Sequence, residues 1–491
     1  MTLRYRFFII LAGFFLLANL LVMNDLTALW PGPESWLAWR CLNGEAGGAP
    51  YERLGALIMG QEGLSPFWMR LPGAAVFALA LAGYWVISRK LFESEVLLTT
   101  LLVFSASLLA PNMAKVATGD IWAMATQWLA FAAMVRFLKQ PALVWRLAFY
   151  GLLFLALWAQ PLNALIFLMG SGAYLYFRHP QGKRLWSLNP WLAGALLFLP
   201  LYFLGWSTFG QAGFLVGFRT GRFLLWNLAG MFPFLGFVLA GIWETHKRLG
   251  RQEEMAILNA AGLIFALLAH SLALQGVLAL VVAKQLKSYF DSKYPYGTIV
   301  KTGAILHLVA AFFVIMPLMV GGFLQYQGPG FRAMLAAGGI YWMFSFVAVI
   351  GLFSNNQRYL IEGLVLGGLL VTTLFWLQAN PLLQQKTGWP RQLVEQSREK
   401  TAARGITSSF LVQPGEAPFP ALAPYSKAAY PDTHILSGPK SLRHAWETSR
   451  EAVFLLEREK AEELGTAVPA DTIRGWDNRL RAVEYVLLVK K

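Results

Sequence analysis

Apolar runs of membrane-spanning length recur along most of this 491-residue chain, and they constrain its fold more than any other feature. A run of roughly 17–25 apolar residues can cross a bilayer as a helix, which satisfies its backbone hydrogen bonds internally. We therefore predict an all-α polytopic membrane protein with about thirteen transmembrane helices. The spans are expected near residues 7–23, 71–88, 96–110, 121–138, 147–159, 162–177, 191–206, 223–243, 255–272, 277–284, 303–321, 333–353 and 360–377.

The composition agrees with a membrane protein and determines how its charge is interpreted. The chain is 57% hydrophobic and only 14% charged, with a formal net charge of +15. Membrane proteins collect Lys and Arg in cytoplasmic loops, so this charge does not indicate nucleic-acid binding. Alternate loops carry the excess, which places the N-terminus in the cytoplasm and, after an odd number of spans, the C-terminus outside. The basic loops contain Arg4, Arg6, Arg89, Lys90, Arg136, Lys139, Arg146, Arg178, Lys183, Arg184, Lys247, Arg248, Arg251, Lys284, Lys287, Lys293 and Lys301.

The composition changes sharply after residue 377, where long apolar runs end and charged residues and prolines become common. Residues 406–412, 452–456 and 483–489 have the pattern of strands, and 390–404 and 442–450 that of helices. We expect two domains: residues 1–378, which include a long first outer loop at 24–70, and a small extracytoplasmic α/β domain at 379–491.

No motif of a soluble enzyme is present. The chain has neither a phosphate-binding glycine loop nor a His-Glu-x-x-His metal site, and its single cysteine, Cys41, excludes an intramolecular disulfide framework. We predict no cofactor and no metal ligands, although two isolated acids neither make nor exclude a divalent-metal site. His270 and His307 lie in apolar spans, where packing or hydrogen bonding is the more common role of a lone histidine, and Glu362 is similarly ambiguous.

Two acidic residues are the strongest functional candidates. Asp120 follows a short polar break between two apolar runs, and a carboxylate at the start of a membrane helix is costly unless it lies at the interface or serves a site. A structural alternative is that Asp120 caps the helix 121–138. Glu34, in the first outer loop, is predicted to lie on the same side of the membrane, so we expect both carboxylates to face one cavity.

Several short stretches resemble the integral-membrane glycosyltransferases of the protein O-mannosyltransferase and aminoarabinose-transferase type, which have the GT-C fold. Met69-Arg70-Leu71-Pro72-Gly73 is similar to the Arg-Leu-Pro signature that opens the second span of that family. Lys115-Val116-Ala117-Thr118-Gly119-Asp120 resembles the basic-apolar-x-x-Thr-Asp pattern that opens the fourth span. Pro50-Tyr51-Glu52-Arg53 and Gly221-Arg222-Phe223 are similar to stretches of the first loop and of the segment after the seventh span.

This resemblance implies transfer of a sugar from a polyprenyl-phosphate donor to a lipid, glycan or protein acceptor at the outer face of the bacterial cytoplasmic membrane. A carboxylate takes the acceptor proton, and cationic side chains stabilise the phosphate leaving group. The implied partners are the donor, membrane lipids, the acceptor and further membrane subunits, with no nucleic acid. The implied catalytic residues are Glu34 as base and Asp120 as its partner, and the implied substrate-binding residues are Arg53, Lys115, Arg219 and Arg222.

The sequence also departs from the family pattern. The acidic pair of the first loop is reduced to Glu34, and three family lysines appear as Arg53, Gln160 and Gln275. A catalytically inactive scaffold or subunit of a larger complex is therefore the alternative to an enzyme. A lipid-glycan transporter is a weaker alternative, because the sequence shows no similarity between its two halves.

Overall fold

The computed structural model describes residues 3–22, 29, 33–45, 49–187, 220–381, 389–412, 422–436, 438–465, 472–476 and 482–490. The chain forms two compact units. The first comprises Met1–Met23, Gly48–Tyr51 and Leu71–Ala379, and the second comprises Asn24–Gly47, Glu52–Arg70 and Asn380–Lys491. Most of the first outer loop, which the sequence analysis grouped with the spans, thus belongs to the unit that contains the C-terminal residues.

The described part of the chain is mostly helical. Short π-helical stretches occupy Leu165–Met169, Leu335–Gly339 and Phe375–Ala379, and a 3₁₀ turn occupies Ala402–Arg404. The α-helices, in chain order, are α1 (Leu3–Leu21), α2 (Pro33–Leu42), α3 (Pro50–Glu62), α4 (Pro66–Ser88), α5 (Ser94–Ala106), α6 (Ala110–Met113), α7 (Asp120–Lys139), α8 (Leu143–Ala159), α9 (Pro161–Ala164), α10 (Gly170–Arg178), α11 (Gly182–Leu185), α12 (Thr220–Gly230), α13 (Leu235–Gly250), α14 (Glu254–Leu268), α15 (Ala273–Ser288), α16 (Gly297–Met334), α17 (Ile340–Phe353), α18 (Gln357–Leu374), α19 (Trp389–Thr401), α20 (Ala423–Ala429), α21 (Pro439–Thr448) and α22 (Arg458–Glu462).

Four described helical segments are long and apolar enough to cross a membrane: Pro66–Ser88, Asp120–Lys139, Leu335–Phe353 and Gln357–Gln378. Local chemistry fixes some of their ends. The Asn356 side chain, for example, accepts hydrogen bonds from the backbone N–H groups of Arg358 and Tyr359 and so caps α18. The polytopic, apolar character predicted from the sequence is confirmed, while the number of thirteen spans stays a prediction.

Several predicted spans differ from the observed helices. The span 223–243 is divided into α12 and α13, because Pro233 cannot continue the backbone hydrogen bonding of a helix. Residues 322–332, predicted to link two spans, are helical and continue α16. His270, predicted within a span, lies in the turn between α14 and α15 with a positive φ of 50°. The predicted span 191–206 lies outside the described residues.

Aromatic packing encloses α7, the helix that begins with Asp120. Trp128 of α7 stacks on Tyr84 of α4 with ring centroids 4.1 Å apart, and it contacts Phe104 of α5 at 4.6 Å. A Cβ atom at Gly276 of α15 would lie 2.4 Å from Trp128 Nε1, so only glycine permits this approach of α15. These contacts hold α7 between α4, α5 and α15 in the first unit.

The second unit contains a five-stranded sheet in the order β2-β1-β3-β5-β4. Strand β1 pairs in parallel with β2 and β3, whereas β5 is antiparallel to both β3 and β4. The core against β3 includes Phe454, Leu456, Val486, Leu442 and Ala445. The strands are β1 (Ser408–Val412), β2 (Asp432–Leu436), β3 (Ala452–Glu457), β4 (Thr472–Trp476) and β5 (Ala482–Lys490).

Candidate functional site

Asp120 is the first residue of α7 and is 4% exposed. Thr118 Oγ1 donates a hydrogen bond to its Oδ2 at 3.0 Å, and Gln160 Nε2 donates to its Oδ1 at 3.4 Å. The N-cap position is occupied by Gly119 and carries no side-chain cap, so Asp120 does not cap the helix in the way that the structural alternative required. Its carboxylate instead lies within the first turn, where the helix dipole favours a negative charge.

The turn before Asp120 is fixed by close backbone contacts. The N–H groups of Leu108 and Leu109 donate to the carbonyl oxygen of Gly230 at 2.7 and 3.1 Å. On α4, a Cβ atom at Gly73 would lie 2.7 Å from the carbonyl oxygen of Ala114. Gly73 therefore permits the close approach of α4 to the polar turn, and Asp120 follows directly from this turn.

Lys115 lies in the same turn and is fully buried. Its Nζ lies 5.1 Å from the centroid of the Trp376 ring, and among the described residues it has no hydrogen-bond partner. Trp376 Nε1 donates to Asn112 Oδ1 at 2.7 Å, which orients the ring. Burial lowers the pKa of Lys115 well below its ordinary value. The ammonium group is held by an aromatic face and retains unused hydrogen-bond donors.

Glu34, in the second unit, forms a fully buried ion pair with Arg70. Arg70 Nε donates to Glu34 Oε1 at 2.9 Å and Arg70 Nη2 donates to Glu34 Oε2 at 2.7 Å. Nearby, the Leu29 N–H donates to the buried hydroxyl of Tyr425 at 2.6 Å, and burial raises the pKa of this tyrosine to about 12. Glu34 thus anchors α2 to the start of α4. Because Glu34 and Asp120 belong to different units, their common cavity stays a prediction.

The candidate phosphate ligands are placed as follows. Arg53 is an exposed residue of α3, next to Glu52, whose carboxylate pairs with Arg40 at 2.7 Å. Arg222 is exposed in the first turn of α12. Arg219 lies outside the described residues. The two described arginines present their side chains at the protein surface.

Neutral amides occupy two places where the family resemblance expects lysines. Gln160 contacts the carboxylate of Asp120, as described above. Gln275 Nε2 donates to the carbonyl oxygen and to Oδ1 of Asn227, both at 2.8 Å. A lysine in place of Gln160 could form an ion pair with Asp120, whereas the amide is an uncharged donor.

The remaining polar candidates have structural partners. His307 contacts Ser345 Oγ at 3.3 Å and the Tyr341 hydroxyl at 3.2 Å. Glu362 accepts from Arg358 Nε at 2.7 Å, one helical turn away. Within the described ranges, no group of three or more His, Cys, Asp or Glu residues is arranged to hold a metal ion.

The sequence did not reveal the hydrogen-bond partners of the two candidate carboxylates, Arg70 for Glu34 and Gln160 for Asp120. Both residues stood at positions that the resemblance had marked, Arg70 in the Arg-Leu-Pro signature and Gln160 at a position where the family has a lysine. A buried carboxylate needs a hydrogen-bond donor, and this need was the signal that could have matched Glu34 with Arg70 and Asp120 with Gln160.

Comparisons with known proteins show which fold the chain has. No protein-family profile and no curated protein sequence matches the chain. Among solved structures, it is similar to ArnT from Cupriavidus metallidurans bound to undecaprenyl phosphate, with a TM-score of 0.64 and 12% identity over 97% of each chain. It is also similar to the apo state of ArnT, with a TM-score of 0.62 and 12% identity over 98% of each chain. The chain therefore has an ArnT-like polytopic fold along nearly its whole length.

Proposed function

We propose that this protein transfers a sugar from a polyprenyl-phosphate donor to a lipid, glycan or protein acceptor. The observation that carries the proposal is the fold likeness over 97% of both chains to an enzyme whose structure holds undecaprenyl phosphate. A buried carboxylate at the start of α7, preceded by a lysine and a threonine hydroxyl, supplies the polar groups that such chemistry needs.

We assign the role of general base to Asp120. The acceptor O–H or N–H approaches the anomeric carbon, its oxygen or nitrogen forms the new glycosidic bond, and the carboxylate takes the proton. The bond between the anomeric carbon and the phosphate oxygen breaks, and its electron pair leaves with the polyprenyl phosphate. Thr118 and Gln160 hold the carboxylate in one orientation before the acceptor arrives.

Glu34 takes a different role in this proposal from the one that the sequence implied. Both of its oxygens accept from Arg70, so proton abstraction by Glu34 would require breaking a buried bidentate pair. We therefore propose that Glu34 and Arg70 position the first outer loop. From the family resemblance we propose Arg53, Lys115, Arg219 and Arg222 as the cationic residues that bind the donor phosphate. The guanidinium groups of the three arginines suit a phosphate bidentately.

We further propose about thirteen spans in a bacterial cytoplasmic membrane, with the N-terminus inside and the site and the C-terminal domain outside. The asymmetry of Lys and Arg between alternate loops supports this orientation. A polyprenyl-phosphate sugar presents its phosphate at the membrane interface. Asp120, as the first residue of a membrane helix, would lie at the same level as this phosphate.

The test is transfer by purified, reconstituted protein supplied with a radiolabelled polyprenyl-phosphate sugar and a membrane extract as acceptor. Asp120→Asn, which is nearly isosteric but removes the charge, should lower turnover by roughly 10²–10⁴-fold. Asp291→Asn, the same change at an exposed aspartate, should leave turnover unchanged. Equal transfer by wild type and Asp120→Asn would refute the role of Asp120. Absence of transfer with every donor and acceptor would favour the inactive scaffold.

A further inference from the structure

A buried arginine near the end of α7 opposite to Asp120 has unused hydrogen-bond donors. Arg136 is 4% exposed, and its Nε and Nη1 have no hydrogen-bond partner in the described part of the chain. It lies sixteen residues after Asp120 on one helix, which separates the two by roughly 24 Å at 1.5 Å per residue. Arg136 is therefore outside the site proposed for sugar transfer.

The groups around Arg136 are cationic. Arg89, at the end of α4, is close enough for its charge to act on the Arg136 guanidinium. Gln140 Nε2 donates to the carbonyl oxygen of Lys90 at 3.3 Å and so ties the loop after α4 to the end of α7. Arg146 of α8 lies over the Phe137 ring at 6.0 Å, donates to Ser187 Oγ at 3.1 Å and has a buried Nε without a partner among the described residues.

No carboxylate of the described residues forms an ion pair with Arg89, Lys90, Arg136 or Arg146. Glu254 is bound to Lys139 at 2.8 Å and to His179 at 3.1 Å, and Glu93, three residues after Lys90, is paired with Lys287. The stretch 188–219, which lies outside the description, contains no Asp or Glu in its sequence. The positive charge of the cluster thus calls for an anion from outside the chain.

The orientation of Arg136 determines which anion fits. Its guanidinium lies with Cζ 5.2 Å from the centroid of the Trp145 ring. A ring contact uses the face of the guanidinium and leaves the N–H groups at its edge free for an acceptor. Nε and Nη1 lie on different edges of the guanidinium, and each offers a charge-assisted hydrogen bond to a phosphate oxygen. Burying these donors unpaired costs free energy, which a bound phosphate would offset.

We propose that Arg136, Arg89 and Arg146 form a binding site for a phosphate group, supplied by the headgroup of an anionic phospholipid or by free phosphate. The site lies at the end of a helix long and apolar enough to cross a membrane, which is the level of the lipid headgroups. It is independent of the proposed transferase function, because it uses none of the residues assigned to catalysis or donor binding.

The test measures the thermal unfolding midpoint and the lipids retained in native mass spectrometry. Full-length protein is placed in nanodiscs of phosphatidylcholine alone, or with phosphatidylglycerol replacing one third of it. Inorganic phosphate is titrated into the phosphatidylcholine sample. We expect phosphatidylglycerol to raise the midpoint and to be retained by the wild type. A rise with inorganic phosphate alone would support the same site and identify free phosphate as a source.

Arg136→Gln should abolish the ligand-dependent rise and weaken retention about tenfold, as expected from loss of a charge-assisted hydrogen bond. Arg178→Gln, at an exposed arginine of α10, is the matched control and should behave as wild type. If Arg136→Gln does not fold, the exposed Arg89→Gln provides the same comparison. Equal rises in wild type and in these variants, or no response of the wild type to either ligand, would overturn the proposal.

Discussion

Arg70 holds both carboxylate oxygens of Glu34 in a fully buried pair, with Nε–Oε1 and Nη2–Oε2 distances of 2.9 and 2.7 Å. The two residues are 36 positions apart and join α2 to the start of α4. Two parallel N–H···O bonds fix the angle between the side chains as well as their distance. The pair therefore sets the position of the first outer loop within the second unit.

Removal of one member of this pair should destabilise the second unit. Arg70→Met leaves the Glu34 carboxylate buried without its main donor, at an expected cost of about 3–5 kcal/mol in the free energy of unfolding. The measurement is thermal unfolding of purified protein, with Arg398→Met at an exposed position as control. The double variant Glu34→Leu/Arg70→Met removes both charges and should recover part of the loss. A shift no larger than that of Arg398→Met would contradict the structural role.

The sequence predicted those strands and helices whose residue types form a clear hydrophobic pattern. Residues 452–456 form a continuous apolar run, and they are the buried strand β3. Strand β2 was missed because it begins with Asp432, Thr433 and His434, a polar start that does not have a strand pattern. Its backbone pairs with β1, so the sheet imposes a strand conformation that these residue types do not favour on their own. Strand β4, with Arg474 and Gly475, is an edge strand and was missed for the same reason.

In the candidate site, too, some features could be predicted from the sequence and others could not. The cost of a carboxylate at a helix start identified Asp120 from the sequence, and its neighbour Thr118 followed from the same motif. Gln160, 40 residues away, meets Asp120 only through the packing of separate helices. Spacing along the chain carries no information about such a pair. The burial of Lys115 against Trp376 was likewise beyond sequence reasoning, because their approach is tertiary.

The close approach of α4 to the turn before Asp120 gives a second prediction. In Gly73→Ala the new Cβ would lie 2.7 Å from the Ala114 carbonyl oxygen, so the turn must move. We expect sugar transfer to fall by roughly 10²-fold, since misplacement of a reacting group by about 1 Å has this effect. Gly151→Ala, on α8 with no atom within 4 Å of the new Cβ, is the matched control. Equal activity in the two variants would show that the turn tolerates displacement.

We expect Lys115 to lower the stability of the folded protein and, as proposed above, to bind the phosphate of the sugar donor. Its buried ammonium lacks hydrogen-bond acceptors among the described residues, so Lys115→Met should raise the unfolding midpoint, by roughly 2–4 °C for each kcal/mol recovered. If Lys115 also binds the donor phosphate, as proposed, the same variant should raise KM for the donor. Lys440→Met, at an exposed lysine, is the control and should change neither quantity.

The stability effect of Lys115 should depend on pH in a defined direction. Burial lowers its pKa in the folded state below the ordinary value of 10.5, so the unfolded state binds more protons between the two pKa values. Wild-type stability contributed by this group therefore rises with pH across that window. The difference between Lys115→Met and wild type should narrow as pH approaches 10.5. A difference that widens with pH would mean that the folded state favours the ammonium.

The orientation of the protein in the membrane can be tested by cysteine labelling, because the single native cysteine, Cys41, should not react with thiol reagents. The thiol is buried, and burial, followed by the charge of Glu52, raises its pKa to about 12. At pH 8 only about one molecule in ten thousand would carry the reactive thiolate. Wild-type protein should therefore give no labelling with a membrane-impermeant maleimide until it is unfolded.

With Cys41 silent, single cysteines report which side of the membrane each exposed position faces. In cells stripped of their outer permeability barrier, Lys440→Cys in the C-terminal residues should be labelled at once, because this domain is predicted outside. Lys183→Cys, in a basic loop predicted inside, should be labelled only after lysis. The opposite result would reverse the orientation and move Asp120 to the cytoplasmic face. A sugar donor exposed at the outer interface would then be out of reach of the proposed base.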